Sequence, residues 1–300
     1  MNGVNMHVGM TQETKGMWLG ALGIAMFSLT LPFTRIAVLE MDPVLVALGR
    51  AVVAAFLSAM LLWWKRALLP NRTQAKSLLI TAAGVVVGFP VFMSVAMHYV
   101  PASHGAIVLG ILPLTTALFG ALRFGERPSL GFWIAAIFGS ILVIAFALQQ
   151  GGGQLHLADL SLFAAVIAAA MGYAEGGRLA QTMDGQLVIS WALVLSMPIV
   201  LPITIVLAWH YGFHASPLAW VSFGYVSLIS MFVGFFFWYQ GLALGGIARV
   251  GQVQLIQPFL TLLGSALLLG EELVLSNFLF AIAIIGVVAL GRKMPVRRHG

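Results

Sequence analysis

Ten apolar runs, each about long enough to cross a lipid bilayer, occupy almost the whole 300-residue chain. They are Met17–Leu39, Val44–Trp64, Ser77–His98, Ala102–Leu122, Leu130–Leu148, Ala158–Tyr173, Leu187–Trp209, Leu218–Leu242, Val250–Leu269 and Val274–Leu290. A bilayer's hydrocarbon core, about 30 Å thick, needs roughly 20 apolar helical residues to cross it. Backbone polar groups find no water there, so runs of this length must be helices. Charged residues make up 8% of the chain and apolar ones 61%, which leaves no room for a soluble domain. The expected fold class is therefore all-α integral membrane, with ten transmembrane helices.

The breaks between runs carry turn signals such as Met41-Asp42-Pro43, Pro101, Gly151-Gly152-Gly153, Asp184-Gly185 and Gly245-Gly246. Met1–Gln12 is polar and lacks the pattern of a cleaved signal peptide, so the first run is expected to be retained. With no cysteine, thiol chemistry and disulfides are absent. The net charge of +6 is explained by basic loops flanking membrane spans rather than by nucleic acid. Placing the N-terminus in the cytoplasm puts thirteen of the fifteen basic residues inside, among them Lys65, Arg66, Arg72, Lys76, Arg123, Arg127, Arg178 and Arg249. Ten crossings then return the C-terminus to the cytoplasm as well, in a multi-pass protein of the cell inner membrane.

The runs form two matching sets of five. A shift of 145 residues lays Val108–Glu126 on Val253–Glu271 with nine of nineteen positions identical, including Pro113/Pro258, Thr116/Thr261, Gly125/Gly270 and Glu126/Glu271. Apolar bias explains none of the proline, glycine or glutamate matches. Five is odd, so the second set enters the membrane from the opposite side. The expected organisation is a first five-helix repeat over residues 1–150 and an inverted copy over 151–300. Inverted repeats recur in secondary transporters, where two related halves open a midplane site alternately.

The Pro113…Gly125-Glu126-Arg127 segment and its copy, Pro258…Gly270-Glu271-Glu272, resemble the signature of the drug/metabolite transporter superfamily with tandem EamA-type halves. Ala102-Ser103…Ala106 and Arg50 within Leu48-Gly49-Arg50-Ala51 are similar to that family too. The resemblance implies a ten-helix inverted-repeat carrier whose central cavity is lined by helices one, three, four, six, eight and nine. Within the family the chain looks most like the YddG-type exporters of aromatic and other amino acids. It departs from the pattern in the seventh run, where Trp191 stands near the place of Arg50.

Gln254, Gln257, Thr261 and Ser265 fall at i, i+3, i+7 and i+11, on one face of a helix, with Gln252 on another. Buried amides need partners, and they suit an amino-acid zwitterion by offering both donors and acceptors. Trp238 and Tyr239 end an aromatic run and stand with Met93 as candidates for an adaptable apolar wall. Pro113 and Pro258 interrupt apolar runs, where they would bend helices and shape the cavity or act as hinges, and Pro32 and Pro90 would do likewise. Arg50 is the most costly residue by position, and is either a carboxylate anchor or a packing arginine. Since the family cavity omits helix two, packing is the expectation. His98 and His104 are expected at the interface, Glu126 and Glu271 as turn stabilisers, and Glu175 could face the cytoplasmic mouth.

No phosphate-binding loop, paired carboxylates or nucleophile elbow occurs, so no enzyme activity, cofactor or metal is expected. The function read from these features is export of small organic metabolites, amino acids included, by a monomer that meets only its substrate and the lipid bilayer. A multidrug or nucleotide-sugar carrier is the alternative within transport. A lipid-modifying membrane enzyme is the alternative outside it.

Overall fold

The computed structural model describes residues 11–124, 127–150, 156–212, 214–245, 250, 253–294 and 296–297. Gly125, Glu126, Gly151-Gly152-Gly153, Arg249 and Gln252 lie outside the described residues. Eight helices are long and apolar enough to cross a membrane: α1 (Thr14–Val38), α2 (Pro43–Trp64), α3 (Arg72–Tyr99), α4 (Ala102–Arg123), α5 (Leu130–Gln149), α6 (Leu157–Leu179), α7 (Gly185–Tyr211) and α8 (Pro217–Gly245). Two shorter apolar helices follow, α9 (Gln254–Leu269) and α10 (Leu275–Leu290). Among the described residues the one strand pairing is a two-residue antiparallel contact of Arg127–Pro128 with Val296–Arg297. The chain is a multi-pass membrane protein. Large apolar side chains cover its outer surface, and exposed Trp63 and Trp209 mark opposite ends of the bundle, where amphipathic rings suit the lipid headgroup level.

Local signals set the helix ends. Asp42 accepts a bond from the Leu45 N–H at 2.8 Å and Pro43 occupies the first turn of α2. Asn71 and Gln74 form a reciprocal capping box at the start of α3, so residues 72–76 open a helix where a basic loop was expected. The sixth helix also runs further than expected, through Glu175-Gly176-Gly177 to Leu179. Gly176 is a packing site rather than a breaker, because the Tyr239 phenol lies against it and occupies the space a Cβ would need.

Cross-loop bonds sort the loops onto two faces. On the first, Lys65 Nζ donates to Gln186 Oε1 at 2.6 Å, and the end of α4 meets α6 through Arg123 and Glu175 at 3.2 Å. On the second, Glu40 accepts from the Ser216 N–H and hydroxyl at 2.6 and 2.7 Å, and His98 Nδ1 lies 2.8 Å from the Val38 carbonyl. Glu271 reaches the start of α4 on that same second face. By this sorting α1 starts on the first face and α6 on the second. Lys65, Arg66, Arg72, Lys76, Arg123 and Arg178 all gather on the first.

At several contacts between helices the backbones nearly touch. A Cβ on Gly241 of α8 would lie 2.7 Å from the Gly20 nitrogen of α1, and one on Gly84 of α3 would lie 2.5 Å from the Ala168 oxygen of α6. Small residues at such crossings admit the close packing that holds helices together in lipid. Two irregular features recur at the 145-residue spacing. A π-helical stretch at Ala82–Gly88 has a counterpart at Tyr225–Val233, and a 3-10 turn at Leu109–Ile111 has one at Gln254–Ile256. π-Bulges are rare and tend to sit at functional sites.

Glu40 lies between α1 and α2, outside the spans. Its two bonds from Ser216, first the hydroxyl's and then the backbone's, hold its carboxyl below the usual carboxylate range. Because the folded-state value is depressed, this loop tie contributes stability above the ordinary carboxylate value and loses it as pH falls through the folded value. Unfolding of the wild type and of Glu40→Gln followed against pH should therefore show a gap at neutral pH that closes in acid. A gap constant with pH would show that the charge of Glu40 is not what matters.

Candidate functional site

Two small adjoining cavities lie at the centre of the bundle, each with about 10 Å³ of free space, room for roughly one water molecule. Gln257 lines both. The first is walled by Leu31, Ala106, Leu109, Gln254, Pro258 and Thr261. The second draws Phe27 and Thr30 from α1, Phe89 from α3, Leu112 from α4, Tyr173 from α6, and Ser230 and Phe235 from α8. These are the six helices that the family resemblance implied. The structure adds a seventh contributor: Arg50 of α2.

Arg50 lies about a third of the way along α2 and is 1% exposed. Its Nε and Nη1 are buried without a hydrogen-bond partner, so neither of these nitrogens is tied to a backbone carbonyl. The periodicity of α2 could not reveal this, because the direction Arg50 points depends on which helices surround it. Thr30 and Ser230 hydroxyls meet across α1 and α8 at 2.8 Å on the same wall. The cavity is thus apolar and aromatic over most of its surface, with a guanidinium, an amide and two hydroxyls.

The other candidate residues are placed as follows. Gln254, Gln257 and Thr261 share the wall of one cavity, as their helical spacing implied, and Gln254 Nε2 is buried without a partner. Ser265 is buried and turned to its own helix, donating to the Thr261 carbonyl at 2.9 Å. Trp238 and Tyr239 line neither central cavity. They pack behind it in an aromatic cluster, with Tyr173 5.7 Å from Trp238 and Phe235 5.4 Å from Tyr239 between ring centres. The Tyr239 hydroxyl donates to the Gly172 carbonyl at 3.3 Å, which joins α8 to α6. Met93 is fully buried in the core and lines neither cavity. Phe27, Tyr173 and Phe235, which the sequence did not single out, are the aromatic residues at the cavity itself.

Pro258 stands in the first turn of its α-helical segment, directly after the 3-10 turn Gln254–Ile256, and Pro113 is the second residue of the segment after Leu109–Ile111. Each proline therefore marks a break between two helical segments beside the cavity. At such a break the missing N–H and fixed φ of proline do little harm.

Among the described residues, the buried acids Asp159 and Glu175 and the partly buried Glu271 are engaged elsewhere. Both Glu271 oxygens accept backbone N–H bonds at the start of α4, from Ala102 at 2.8 Å and Ser103 at 2.9 Å. Glu175 accepts from the Ser77 hydroxyl at 2.6 Å and pairs with Arg123. His104 is buried, not interfacial as expected, and its Nε2 lies 2.7 Å from Asp159. A roomier cavity of about 440 Å³ opens between α2 and α7 at the second face, lined by Leu45, Val46, Gly49, Leu201, Thr204 and Phe223 among others. It lies away from the convergence of helices at the centre.

The sequence profile of the EamA-like transporter family matches this chain twice, over residues 14–148 and 156–291. The chain belongs to the EamA-like transporter family. The transporter is also 43% identical over 292 residues to "Uncharacterized transporter YdeK" of Bacillus subtilis (strain 168), covering 95% of this chain and 99% of that one. A solved crystal structure, 17% identical, matches 93% of this chain and 96% of its own with a TM-score of 0.64, a likeness of fold alone. The family places the chain in the drug/metabolite transporter superfamily.

Proposed function

We propose that this transporter is a secondary carrier of the cell inner membrane that exports small organic metabolites, amino acids with apolar or aromatic side chains among them. It crosses the membrane ten times, in two inverted halves (residues 1–150 and 151–300), with both termini in the cytoplasm, and works as a monomer. The observation that carries this reading is the central cavity. Seven helices from both halves of the chain converge there on an aromatic wall bearing a few polar groups. Few, well-placed polar groups in an apolar pocket are what orients a small ligand. The 145-residue recurrence of the π stretches and 3-10 turns, and the opposite starting faces of α1 and α6, support two inverted halves that rock about this site. The concentration of basic residues on one face supports a cytoplasmic placement for it. A multidrug carrier for cations fits less well, because no acidic residue lines either central cavity among the described residues.

In the present conformation the cavity is too small for an amino acid, so cargo enters only when the halves move apart. Purified protein in liposomes loaded with unlabelled phenylalanine should take up labelled phenylalanine without ATP. Gln254→Ala and Gln257→Ala should raise half-saturation about tenfold each, through loss of polar partners in a low-dielectric site. Pro113→Ala and Pro258→Ala should instead slow the maximal rate, by healing the helix breaks in α4 and α9. No counterflow with any apolar or aromatic amino acid would refute amino-acid transport. Wild-type kinetics in all four variants would refute the assigned roles.

A further inference from the structure

We infer that Arg50 anchors the carboxylate of the cargo, and that the carboxylate, not the α-amino group, is the part of the molecule the site requires. This deepens the transport reading and rests on it. Arg50 is buried at the cavity wall with Nε and Nη1 unpartnered. A guanidinium taken out of water is costly unless an acceptor, usually an anion, meets it. Among the described residues no carboxylate shares its cavity. Asp159 is held by His104 and the His156 N–H, Glu175 by Ser77 and Arg123, and Glu271 by the start of α4.

A second buried nitrogen at the centre has the same character. Gln254 Nε2, on the wall of the adjoining cavity, is a donor without an acceptor. A site that presents donors in excess is completed by a ligand that brings acceptor oxygens. A carboxylate brings two in the planar arrangement that a guanidinium meets with paired bonds. The α-ammonium group finds no counter-charge here, since neither central cavity has an acidic lining residue among the described residues. Hydroxyls of Thr30 and Ser230 and the faces of Phe27, Tyr173 and Phe235 are what it would meet. Net charge points the same way: one buried positive charge is neutralised by an anion and left standing by a zwitterion. The aromatic wall suits an apolar or aromatic body attached to that carboxylate.

Three matched probes separate the two groups: phenylalanine, 3-phenylpropionate, which lacks the ammonium, and phenethylamine, which lacks the carboxylate. Each is tested on the full-length protein in two ways, by thermal stabilisation and by inhibition of phenylalanine counterflow. The expected result is that 3-phenylpropionate matches or exceeds phenylalanine in both, while phenethylamine is ineffective. Arg50→Gln should weaken the two carboxylates on the order of 100-fold, and Arg50→Lys less. Without ligand, Arg50→Gln should be at least as thermostable as the wild type, because an unmet charge has been removed, whereas a packing arginine would leave it less stable. Phenethylamine acting as well as phenylalanine, or carboxylate affinity unchanged in Arg50→Gln, would overturn the inference. The wild-type probe comparison decides it even if a variant fails to fold. Carboxylate-dependent stabilisation without counterflow would overturn the transport reading and leave Arg50 as the anchor.

Discussion

Gly241→Leu is expected to yield almost no folded protein. A Cβ at this position of α8 would sit 2.7 Å from the Gly20 nitrogen and 2.9 Å from the Gly16 oxygen of α1. Both neighbours are backbone atoms, so no side-chain rotation relieves the overlap, and the helices must part along their whole crossing. Overpacking a rigid interface costs about 3 kcal/mol or more, a large share of a folded protein's net stability. Gly286→Leu is the matched control. It also lies in an apolar helix, α10, but a Cβ there meets nothing within 4 Å. Leucine has the better helix propensity, so the control should fold at least as well as the wild type. Size-exclusion profiles and thermal unfolding of the two variants in detergent give the comparison. Equal yields would show that the α1–α8 crossing is not the tight contact described.

Glu271→Ala should cost about 3 kcal/mol, the second large effect. Pro101 precedes α4 and has no side chain that can cap it, so Ala102 and Ser103 present free N–H groups to the membrane boundary. Glu271 fills that vacancy from another part of the chain with one oxygen for each donor. Hydrogen bonds to a charged group contribute about 1.5–3 kcal/mol, and a negative charge at a helix N-terminus adds a favourable dipole interaction. Gly270 makes this possible. Its φ of 66° ends α9 in the left-handed conformation, a turn that only glycine adopts without strain, and the chain then delivers Glu271 to α4. Glu271→Gln keeps its acceptor oxygen but loses the charge, and should lose about half as much. Glu272→Ala, at the exposed neighbour, should be near neutral. Equal unfolding temperatures for the Glu271 and Glu272 variants would contradict the capping role.

This Gly-Glu turn shows both what the sequence discloses and where it stops. Its repetition at Gly125-Glu126 and Gly270-Glu271 was visible, and so was a structural role for the glutamate. The recipient of the carboxylate was not, because α4 lies some 170 residues away in the chain. Helix positions were legible for a similar reason: long apolar runs leave one physical option in lipid. The exceptions came where polar or glycine residues are helical for tertiary reasons. Arg72 to Lys76 extend α3 behind a capping box, and Gly176-Gly177 continue α6, with Gly176 against Tyr239. The π stretches left no trace in hydropathy, since they change the hydrogen-bond register and not the composition.

The candidate site divides along the same line. Gln254, Gln257 and Thr261 were legible because one helix's periodicity fixes their common face. Which face meets the centre is decided between helices, so the sequence leaves Arg50 between two roles and does not single out Tyr173 and Phe235. It also picked Met93, Trp238 and Tyr239, which the structure places in the packed layer outside the cavity. A charge within an apolar span is the sequence signal at Arg50.

The most direct test of alternating access uses the absence of cysteine from the chain. Gln257→Cys and Leu109→Cys each place a single thiol on the wall of the central cavity. Reaction with a membrane-impermeant thiol reagent is then followed in right-side-out and in inverted vesicles, with and without phenylalanine. The predicted result is labelling from both sides at each position, with substrate changing the rates. Labelling from one side only, or from neither under any condition, would contradict a central cavity that opens to both faces in turn.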